Sequence, residues 1–407
     1  MLNAQFGKDF FTIEKGESKR RVYMSRVAVV RCDDYNDTNV FQAMERGLGL
    51  LGGIGAFIKS GEKILLKPNL LAPALPEKCV TTHHSVFKAA AKIAMTANVK
   101  LSYGDSPAFS SMEASAKKCG IYNEAAALSI PAADFATGVK MHYHEGRQNK
   151  LFTIAKGAAD CDGLISISKL KTHGFQKYTG ALKNQFGCIP GVLKGEFHVK
   201  IPDANDFARM LLDLTGLIKP RLYIIDGIMA MEGNGPNGGD PVKLGVLIVS
   251  DDPIAADSVA CRIMNIDPLL VPTVRLGGEL GCGQSDISKI TLLGDSPDSF
   301  IRRSFKIDRT PLEPLKTKGV IKFVGNRIVQ KPVIDKKLCL KCGLCINICP
   351  ANPKAIGWSK GNTKEPPVYN YNICIKCYCC QEICPEHAIT LEKPLARKIF
   401  SRDGKFI

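Results

Sequence analysis

Apolar and polar positions alternate along most of the chain in the way typical of an α/β domain, with short apolar runs separated by stretches of helical period. Several runs are continuous and rich in β-branched residues, which indicates strands buried on both faces of a sheet. The predicted strands are 27–32, 63–70, 99–104, 163–169, 221–226 and 245–250. The pattern therefore predicts an α/β fold with an open, mostly parallel sheet and flanking helices over residues 26–300.

Helical period occupies the segments between these runs. The cluster Asp37-Thr38-Asn39 predicts a capped helix start, and Asp251 or Asp252 could cap another helix. The predicted helices are 40–57, 85–97, 207–218 and 255–266. Strands and helices alternate, so the connections fit a sheet covered by helices on its faces.

Basic segments divide the rest of the chain. The sequence predicts a basic N-terminal segment at 1–25, a basic linker at 301–331 and a basic tail at 392–407. Between the linker and the tail, residues 332–391 form a second domain in which one short unit occurs twice. This small C-terminal domain is predicted to be α+β.

Composition and charge narrow the class of protein. The chain has 407 residues, 45% of them hydrophobic, and a formal net charge of +16. No apolar run approaches the ~18 residues of a membrane span, and no apolar segment follows the basic N-terminus as in a secretory signal. The excess of positive charge favours acidic or anionic partners, but there is no nucleic-acid-binding motif. We therefore expect a cytoplasmic protein that binds no nucleic acid.

Nine of the sixteen cysteines lie between residues 339 and 384, and eight of these nine form two copies of the spacing C-x2-C-x2-C-x3-C-P. Two-residue spacers wrap the chain around one iron–sulfur cube, and the fourth cysteine of each copy is directed to the other cube. This predicts two [4Fe–4S] clusters. The first is held by Cys339, Cys342, Cys345 and Cys384, and the second by Cys374, Cys377, Cys380 and Cys349.

Two other uses of clustered cysteines fit less well. Zinc ribbons pair C-x2-C units but do not use triplets with a trailing Cys-Pro, and a disulfide framework is typical of short secreted chains. The additional thiol, Cys379, is interpreted as a bystander beside the ligands.

The repeat resembles the two-cluster bacterial ferredoxins over residues 332–391, with a longer segment between its halves. Such clusters carry one electron at a time. Lysines 336, 337, 341 and 376 surround the cysteines and should favour reduction and an acidic redox partner protein.

Polar residues follow the predicted strands of the large domain, where open α/β sheets bind ligands. Four lysines and two histidines, among them Lys169 and His198, predict a pocket for a phosphate or carboxylate, and three carboxylates could act as acid–base groups or hold a hard cation. The candidate catalytic residues are Lys171, His173, Asp226 and Glu232. The candidate cofactor-binding residues are Lys67, Asn69, Asp105, Lys183 and Asn184.

Five motifs resemble the family called "domain of unknown function 362" over residues 26–300. They are Tyr178-Thr-Gly-Ala-Leu-Lys-Asn-Gln-Phe-Gly-Cys-Ile-Pro-Gly191, Lys67-Pro-Asn69, Gly104-Asp-Ser-Pro107, Asp226-Gly-Ile-Met-Ala-Met-Glu-Gly-Asn-Gly-Pro236 and Ala255-Ala-Asp257. The resemblance implies an iron–sulfur protein with a C-terminal ferredoxin module. It brings no catalytic residues with it.

Three functions stay open at this point. The chain is an oxidoreductase that relays electrons to or from an anionic small molecule or second cofactor, or a carrier whose large domain docks a partner, or a protein whose clusters only brace its fold. The substrate, the direction of electron flow and any flavin or other second cofactor are left unassigned.

Overall fold

The structure is a computed structural model that describes residues 25–107, 110–191, 193–311 and 330–392. The basic N-terminal segment, apart from Ser25, lies outside these described residues. So do positions 312–329 of the predicted linker and residues 393–407 of the predicted tail.

An eight-stranded sheet forms the centre of the large domain, with the strand order β10-β1-β9-β8-β6-β2-β3 and β7 paired to β6. A separate hairpin, β4 with β5, lies beside it. The strands are β1 (Arg26–Arg31), β2 (Lys63–Pro68), β3 (Lys100–Tyr103), β4 (Gly138–His142), β5 (Leu151–Ala155), β6 (Gly163–His173), β7 (Lys177–Thr179), β8 (Leu222–Glu232), β9 (Asp240–Ser250) and β10 (Thr291–Gly294).

Strand direction is mostly uniform. Strands β2, β3, β6 and β8 pair in parallel, and so do β1 and β10, whereas β9 runs antiparallel to both β1 and β8. The predicted open, mostly parallel sheet is therefore confirmed. The carboxyl ends of β2, β3, β6 and β8 lie at one edge, where such sheets place ligands.

Helices cover both faces of the sheet and enclose two apolar cores. One core packs α1, α2 and α4 against the sheet, and the other packs α7, α8 and α9. The helices are α1 (Asp37–Leu50), α2 (His84–Met95), α3 (Met112–Lys118), α4 (Ile121–Ala127), α5 (Lys156–Ala159), α6 (Leu193–Lys200), α7 (Ala204–Ile218), α8 (Pro253–Ile263) and α9 (Pro272–Glu279).

The helix ends follow local chemistry. Asn36 caps α1 by accepting hydrogen bonds from the backbone N–H groups of Thr38 and Asn39, and Asp252 caps α8 in the same way. Helix α1 stops at Leu50 and does not reach residue 57 as predicted. Gly52 and Gly53 have φ values of 102° and 78°, which no α-helix accommodates.

The C-terminal domain is small and contains two short two-stranded antiparallel sheets and two short helices. Strand β11 pairs with β14, and β12 pairs with β13. These elements are β11 (Lys331–Ile334), α10 (Leu344–Ile348), β12 (Ile356–Gly357), β13 (Val368–Tyr369), α11 (Cys379–Ile383) and β14 (Ile389–Glu392). The predicted second α+β domain is present.

The C-terminal domain packs against the loop of residues 233–239 that follows β8. The Nε2 atom of Gln381 donates to Oδ1 of Asn234 at 2.6 Å and to the carbonyl of Gly235 at 3.2 Å. Nδ2 of Asn237 donates to the carbonyl of Glu382 at 3.0 Å. A Cβ at Gly238 would lie 2.7 Å from the His387 ring, so this glycine permits the close approach of the two domains.

Candidate functional site

Four of the predicted cofactor-binding residues meet in one buried network at the carboxyl ends of β2 and β3. The Nζ atom of Lys67 lies 2.8 Å from Oδ1 of Asp105, and Oδ2 of Asp105 accepts from the N–H of Leu70 at 2.7 Å. Oδ1 of Asn184 accepts from Nδ2 of Asn69 at 3.3 Å. These polar groups largely satisfy one another, so they form the floor of a site.

Gly187 allows this floor to close. A Cβ at this position would lie 1.8 Å from Oδ1 of Asp105 and 2.7 Å from Nζ of Lys67. The 3₁₀ helix Lys183–Cys188 therefore passes directly over the ion pair. Asn184 and Lys183 lie on the same short helix, which brings both to the strand ends.

The extension of β6 supplies two predicted catalytic residues. Lys171 is buried, and its Nζ donates to Oδ1 of Asn69 at 3.1 Å and to the carbonyl of Val80. A register shift between Lys169 and Lys171 separates these two lysines. Lys171 consequently belongs to the group around Asn69, and His173 follows it on the same strand.

A cavity of about 390 Å³ lies between the large domain and the C-terminal domain. Its volume is within the range of small-molecule sites. The large domain contributes Asn69, Asp105, Lys171, His173, Thr179, Lys183, Asn184, Lys194 and His198 to its wall, and the C-terminal domain contributes Asn347, Cys349, Pro350, Cys379 and Glu382. Six of the predicted large-domain site residues, but not Lys67, thus line one space.

Glu382 reaches this cavity from helix α11. Its Oε1 lies 3.2 Å from Nε2 of His173. Nδ1 of His173 accepts from the N–H of Phe175 at 3.0 Å, so the imidazole proton lies on Nε2 and faces the carboxylate. Burial and Lys183 lower the pKa of His173, and the pair therefore consists of a neutral imidazole beside a carboxylate.

Burial shapes the charge of the remaining cavity groups. Desolvation lowers the pKa of Lys171 to about 7, with Lys183 adding to the effect, and desolvation lowers that of Lys194 to about 7. Desolvation also lowers the pKa of Lys183 and, to about 4, that of His198. Burial by itself raises the pKa of Glu382, but His173 and Lys183 lower it to about 2. Residues with shifted pKa values that line a cleft are typical of functional sites.

Asp226 and Glu232 lie away from the cavity. Strand β8 continues to Glu232, so Asp226 lies inside the strand and not at its end, where the predicted strand 221–226 stopped. Asp226 binds Nζ of Lys169 at 2.9 Å and the hydroxyl of Tyr35 at 2.9 Å. Glu232 accepts from the N–H of Lys306 at 2.9 Å.

The predicted hard-cation alternative is not supported, because Asp105, Asp226 and Glu232 are each held by a different lysine. In the part of the chain that the structure describes, no three His, Cys, Asp or Glu side chains are placed to hold a single metal ion. A [4Fe–4S] cluster differs from such a site, since each thiolate binds its own iron.

The C-terminal cysteines surround two small spaces, which we call the first and second cradles. The first cradle is lined by Cys339, Cys342, Cys345 and Cys384, and the second by Cys349, Cys374, Cys377 and Cys380. Each cradle therefore combines three cysteines of one repeat with the last cysteine of the other.

The backbone around each cradle has left-handed turns that curve the chain around the cysteines. Lys341 and Gly343 in the first repeat have φ values of 59° and 73°, and Lys376 and Tyr378 in the second have 55° and 61°. These turns wrap each cysteine triplet. The sulfur of Cys349 accepts from the N–H of Ala355 at 3.3 Å, as cluster thiolates commonly do.

The cradles differ in exposure. Cys342 of the first cradle is exposed, and Leu340 beside it is 64% exposed. Cys377 and Cys380 of the second cradle are buried. Cys349 belongs to both the second cradle and the cavity wall, so the second cradle directly adjoins the cavity.

Lysines 336, 337 and 341 are exposed around the first cradle, as the sequence suggested. Lys376, the fourth lysine predicted to surround the cysteines, is buried. It lies within the wrapped turn of the second repeat and adds nothing to the exposed charge.

Sequence reasoning missed Glu382, Thr179 and Lys194. Glu382 carries no distinguishing signal, since Glu386 and Glu392 are acidic residues of the same domain. Thr179 and Lys194 belong to a stretch whose residues meet only through the fold of β6, β7 and α6.

Comparison of the sequence with known families gives two matches. The family described as "Domain of unknown function (DUF362)" matches residues 64–262, and the 4Fe-4S dicluster domain matches residues 331–387. The thylakoid-associated protein sll1697 of Synechocystis sp. is 34% identical over 313 residues, which cover 75% of this chain and 97% of that protein.

Two solved structures align with part of the chain. The lactate racemase apoprotein of Thermoanaerobacterium thermosaccharolyticum aligns with a TM-score of 0.38 and 15% identity, over 58% of this chain and 56% of that chain. A Thermotoga maritima protein aligns with a TM-score of 0.36 and 14% identity, over 57% of this chain and 59% of that chain. Among the described helices, none has the length and apolar character needed to cross a membrane.

Proposed function

Because the chain belongs to the DUF362 family and carries a 4Fe-4S dicluster domain, we propose that it is an iron–sulfur oxidoreductase. In this proposal, two [4Fe–4S] clusters relay single electrons to or from an anionic small molecule or second cofactor in the interdomain cavity. When bound, each cluster supplies one-electron chemistry.

The shared position of Cys349 carries the proposal. This cysteine lines the second cradle and the cavity wall, so a molecule in the cavity is next to a cluster ligand. Lys171 and His173 face the same space, which places groups that hold or move protons beside it. The hydrogen bonds from Gln381 to Asn234 and Gly235 keep the C-terminal domain against the cavity.

The first cradle provides a surface for a protein partner. Leu338, Leu340 and Leu344 are exposed at this cradle, and Leu340 and Leu344 also line it. We infer that this apolar patch contacts a protein partner. The exposed lysines 336, 337 and 341 surround the patch. We therefore infer that the redox partner is acidic, since complementary charge speeds association.

The state of the cysteines supports a reducing compartment such as the cytoplasm. All sixteen cysteines lie in the described part of the chain and are free thiols there, as is common where glutathione and thioredoxin keep thiols reduced. The relative from Synechocystis sp. has a name that associates that protein with thylakoids. Membrane-surface association is a further proposal that fractionation of cells would test.

A carrier function is the second candidate. The exposed apolar patch at the first cradle favours it, because a protein partner is sufficient to explain this patch and no small-molecule substrate is needed. In that case the cavity would hold no reacting molecule, and the large domain would act only as a docking body.

One experiment separates the two candidates. The chain is purified without oxygen, the clusters are counted by iron and sulfide content and paramagnetic resonance, and any bound small molecule is identified. Reduced protein is then mixed with small carboxylates and phosphate esters while cluster absorption is followed. The oxidoreductase predicts reoxidation by a small molecule, and Lys171→Met should slow this reoxidation while both clusters remain.

The control is Lys92→Met, which changes an exposed lysine on α2. Reoxidation only by a protein partner, at equal rates in Lys171→Met and the parent, would support the carrier. Clusters that no reductant reduces would leave both candidates without support and favour a structural role.

A further inference from the structure

The polar groups of the interdomain cavity fall into two sets. Those on its floor bind one another, as Asp105 binds Lys67 and Asn69 binds Asn184. The second set, formed by Lys183, His198 and Thr179, has hydrogen-bonding capacity that no described residue uses. Buried polar groups are usually hydrogen-bonded, so unpaired ones that line a cavity are positions where a bound ligand or water can supply the partner.

Lys183 is the central cation of the second set. Its Nζ forms no hydrogen bond or ion pair with a described residue, and it lies 5.7 Å from the centre of the Phe186 ring. Lys183 lines the same cavity as Lys171, His173 and His198. Lys183 is partly exposed to the cavity, so its ammonium group is accessible to a bound anion.

His198 and Thr179 complete the set. The imidazole of His198 packs against aromatic side chains, and the ring of Phe207 stacks on it at a centroid distance of 4.7 Å. Its Nδ1 and the Oγ1 of Thr179 are buried and have no hydrogen-bond partner among the described residues. Thr179 lies opposite Lys171 in the pairing of β7 with β6, and both residues line the cavity.

We propose that Lys183, His198 and Thr179 form an oxyanion-binding site for the carboxylate or phosphate group of a small organic molecule. Lys183 supplies the charge, and Thr179 and His198 supply hydrogen bonds to the oxygens. A redox role for this site rests on the proposed function. If the anionic group of a molecule is bound here, the rest of that molecule can extend toward Cys349. The binding itself requires no electron transfer.

Calorimetric titration of the full chain with both clusters oxidised tests the site. The probes are inorganic phosphate and succinate, each at constant ionic strength set with potassium chloride. We expect saturable binding of at least one probe with one site per chain. Binding of phosphate alone identifies a phosphate site, and binding of succinate alone identifies a carboxylate site.

Variants assign the binding to these residues. Lys183→Gln should weaken binding at least tenfold, Thr179→Val several-fold, and Lys183→Arg by less than about threefold because the charge is kept. Lys92→Gln, an exposed lysine on α2, should have no effect. If Lys183→Gln loses its clusters, the affinities of Thr179→Val and Lys183→Arg for the probe are compared instead. Weaker binding by Thr179→Val than by Lys183→Arg supports the site, and equal binding by the two variants contradicts it.

The site is wrong if neither probe binds saturably at tens of millimolar, or if Lys183→Gln binds as tightly as the parent. Saturable binding that depends on Lys183, combined with no reoxidation of reduced clusters by any small anion, would leave this site standing. That pair of results would overturn the proposed oxidoreductase function alone.

Discussion

Oε1 of Glu382 lies 3.2 Å from Nε2 of His173, although the two residues belong to different domains. Glu382 stands between Cys380 of the second cradle and Cys384 of the first, and His173 ends the strand that carries Lys171. This contact places a negative charge inside a space surrounded by lysines. The ferredoxin-like domain therefore forms part of the wall of the large domain's pocket.

Removing this charge should strengthen anion binding. Glu382→Gln keeps the size of the side chain but removes its negative charge. Without this charge, the cavity no longer repels an anion and Lys183 and Lys171 are not partly neutralised, so the affinity for phosphate or succinate should rise several-fold. Calorimetry on protein with both clusters measures the change. Glu386→Gln alters an exposed glutamate of the same domain and should leave affinity unchanged, and equal effects of the two variants would contradict the role of Glu382.

Anion binding should weaken as pH rises through 7. The pKa of Lys171 and that of Lys194 are each about 7, so each amine is roughly nine-tenths charged at pH 6 and one-tenth charged at pH 8. His173 and His198, whose pKa values are lowered to about 4, stay neutral over this range. Affinity for sulfate, which does not titrate here, should fall on the order of tenfold between these pH values.

The control for this profile is Lys171→Met. It should bind sulfate weakly at pH 6 and show a flatter dependence, since one of the two titrating amines is gone. A profile in the variant as steep as that of the parent would assign the pH dependence to other groups.

The cysteines of the second cradle should differ sharply from their neighbour Cys379. Cys379 lines the cavity but does not line the second cradle, so Cys379→Ser should retain both clusters. Cys349→Ser should lose or convert one cluster, because it removes a ligand thiolate. Iron and sulfide content and paramagnetic resonance after anaerobic purification measure the outcome. Loss of a cluster in Cys379→Ser would show that this thiol is a ligand.

Charge reversal around the first cradle should slow electron exchange with an acidic partner. Replacing Lys336, Lys337 and Lys341 by glutamate reverses the exposed charge and leaves the cysteines in place. The rate of cluster reduction by an acidic one-electron carrier should fall at least tenfold at low salt, and the difference should shrink as salt is added. Unchanged rates and salt dependence would remove the argument for an acidic partner.

The floor of the cavity should be sensitive to a single methyl group. Gly187→Ala places a Cβ 1.8 Å from Oδ1 of Asp105, which forces the Lys67–Asp105 pair apart. We expect destabilisation of about 2 kcal/mol or more, since overpacking and the disturbance of a buried ion pair act together. Thermal unfolding followed by circular dichroism measures it.

Gly49→Ala is the matched control. Gly49 lies in α1 and has no heavy atom within 4 Å of an added Cβ, so the change should be neutral or stabilising by up to about 1 kcal/mol. Equal melting temperatures for the Gly187 and Gly49 variants would mean that the floor adjusts without cost.

Strand positions were predictable because a strand buried on both faces is mostly apolar, as in the run 27–30. Strand direction was not, because an apolar run reads the same both ways. Strand β9 is antiparallel, and only its pairing with β1 and β8 reveals this. The continuation of β8 to Glu232 was also hidden, because Asp226 and the glycine after it resemble a turn.

The site residues also include some that the sequence predicts and some that it does not. Lys171 and His173 follow from the rule that ligands bind at the carboxyl ends of parallel strands. Glu382 follows from no local pattern, since its position depends on how two separately folded domains fit. Lys169 and Lys171 are two residues apart in one strand, yet a register shift gives them different partners, and the sequence contains no sign of that shift.

Helix α11 links iron supply to the pocket. This helix and the loop before it place Cys377, Cys379, Cys380 and Glu382 within a few residues, and Cys384 follows the helix directly. A chain made during iron limitation would lack the clusters that hold these cysteines, and one wall of the cavity would lose its support. The anion affinity of the cavity is therefore expected to differ between protein with and without clusters, because the same helix borders both spaces.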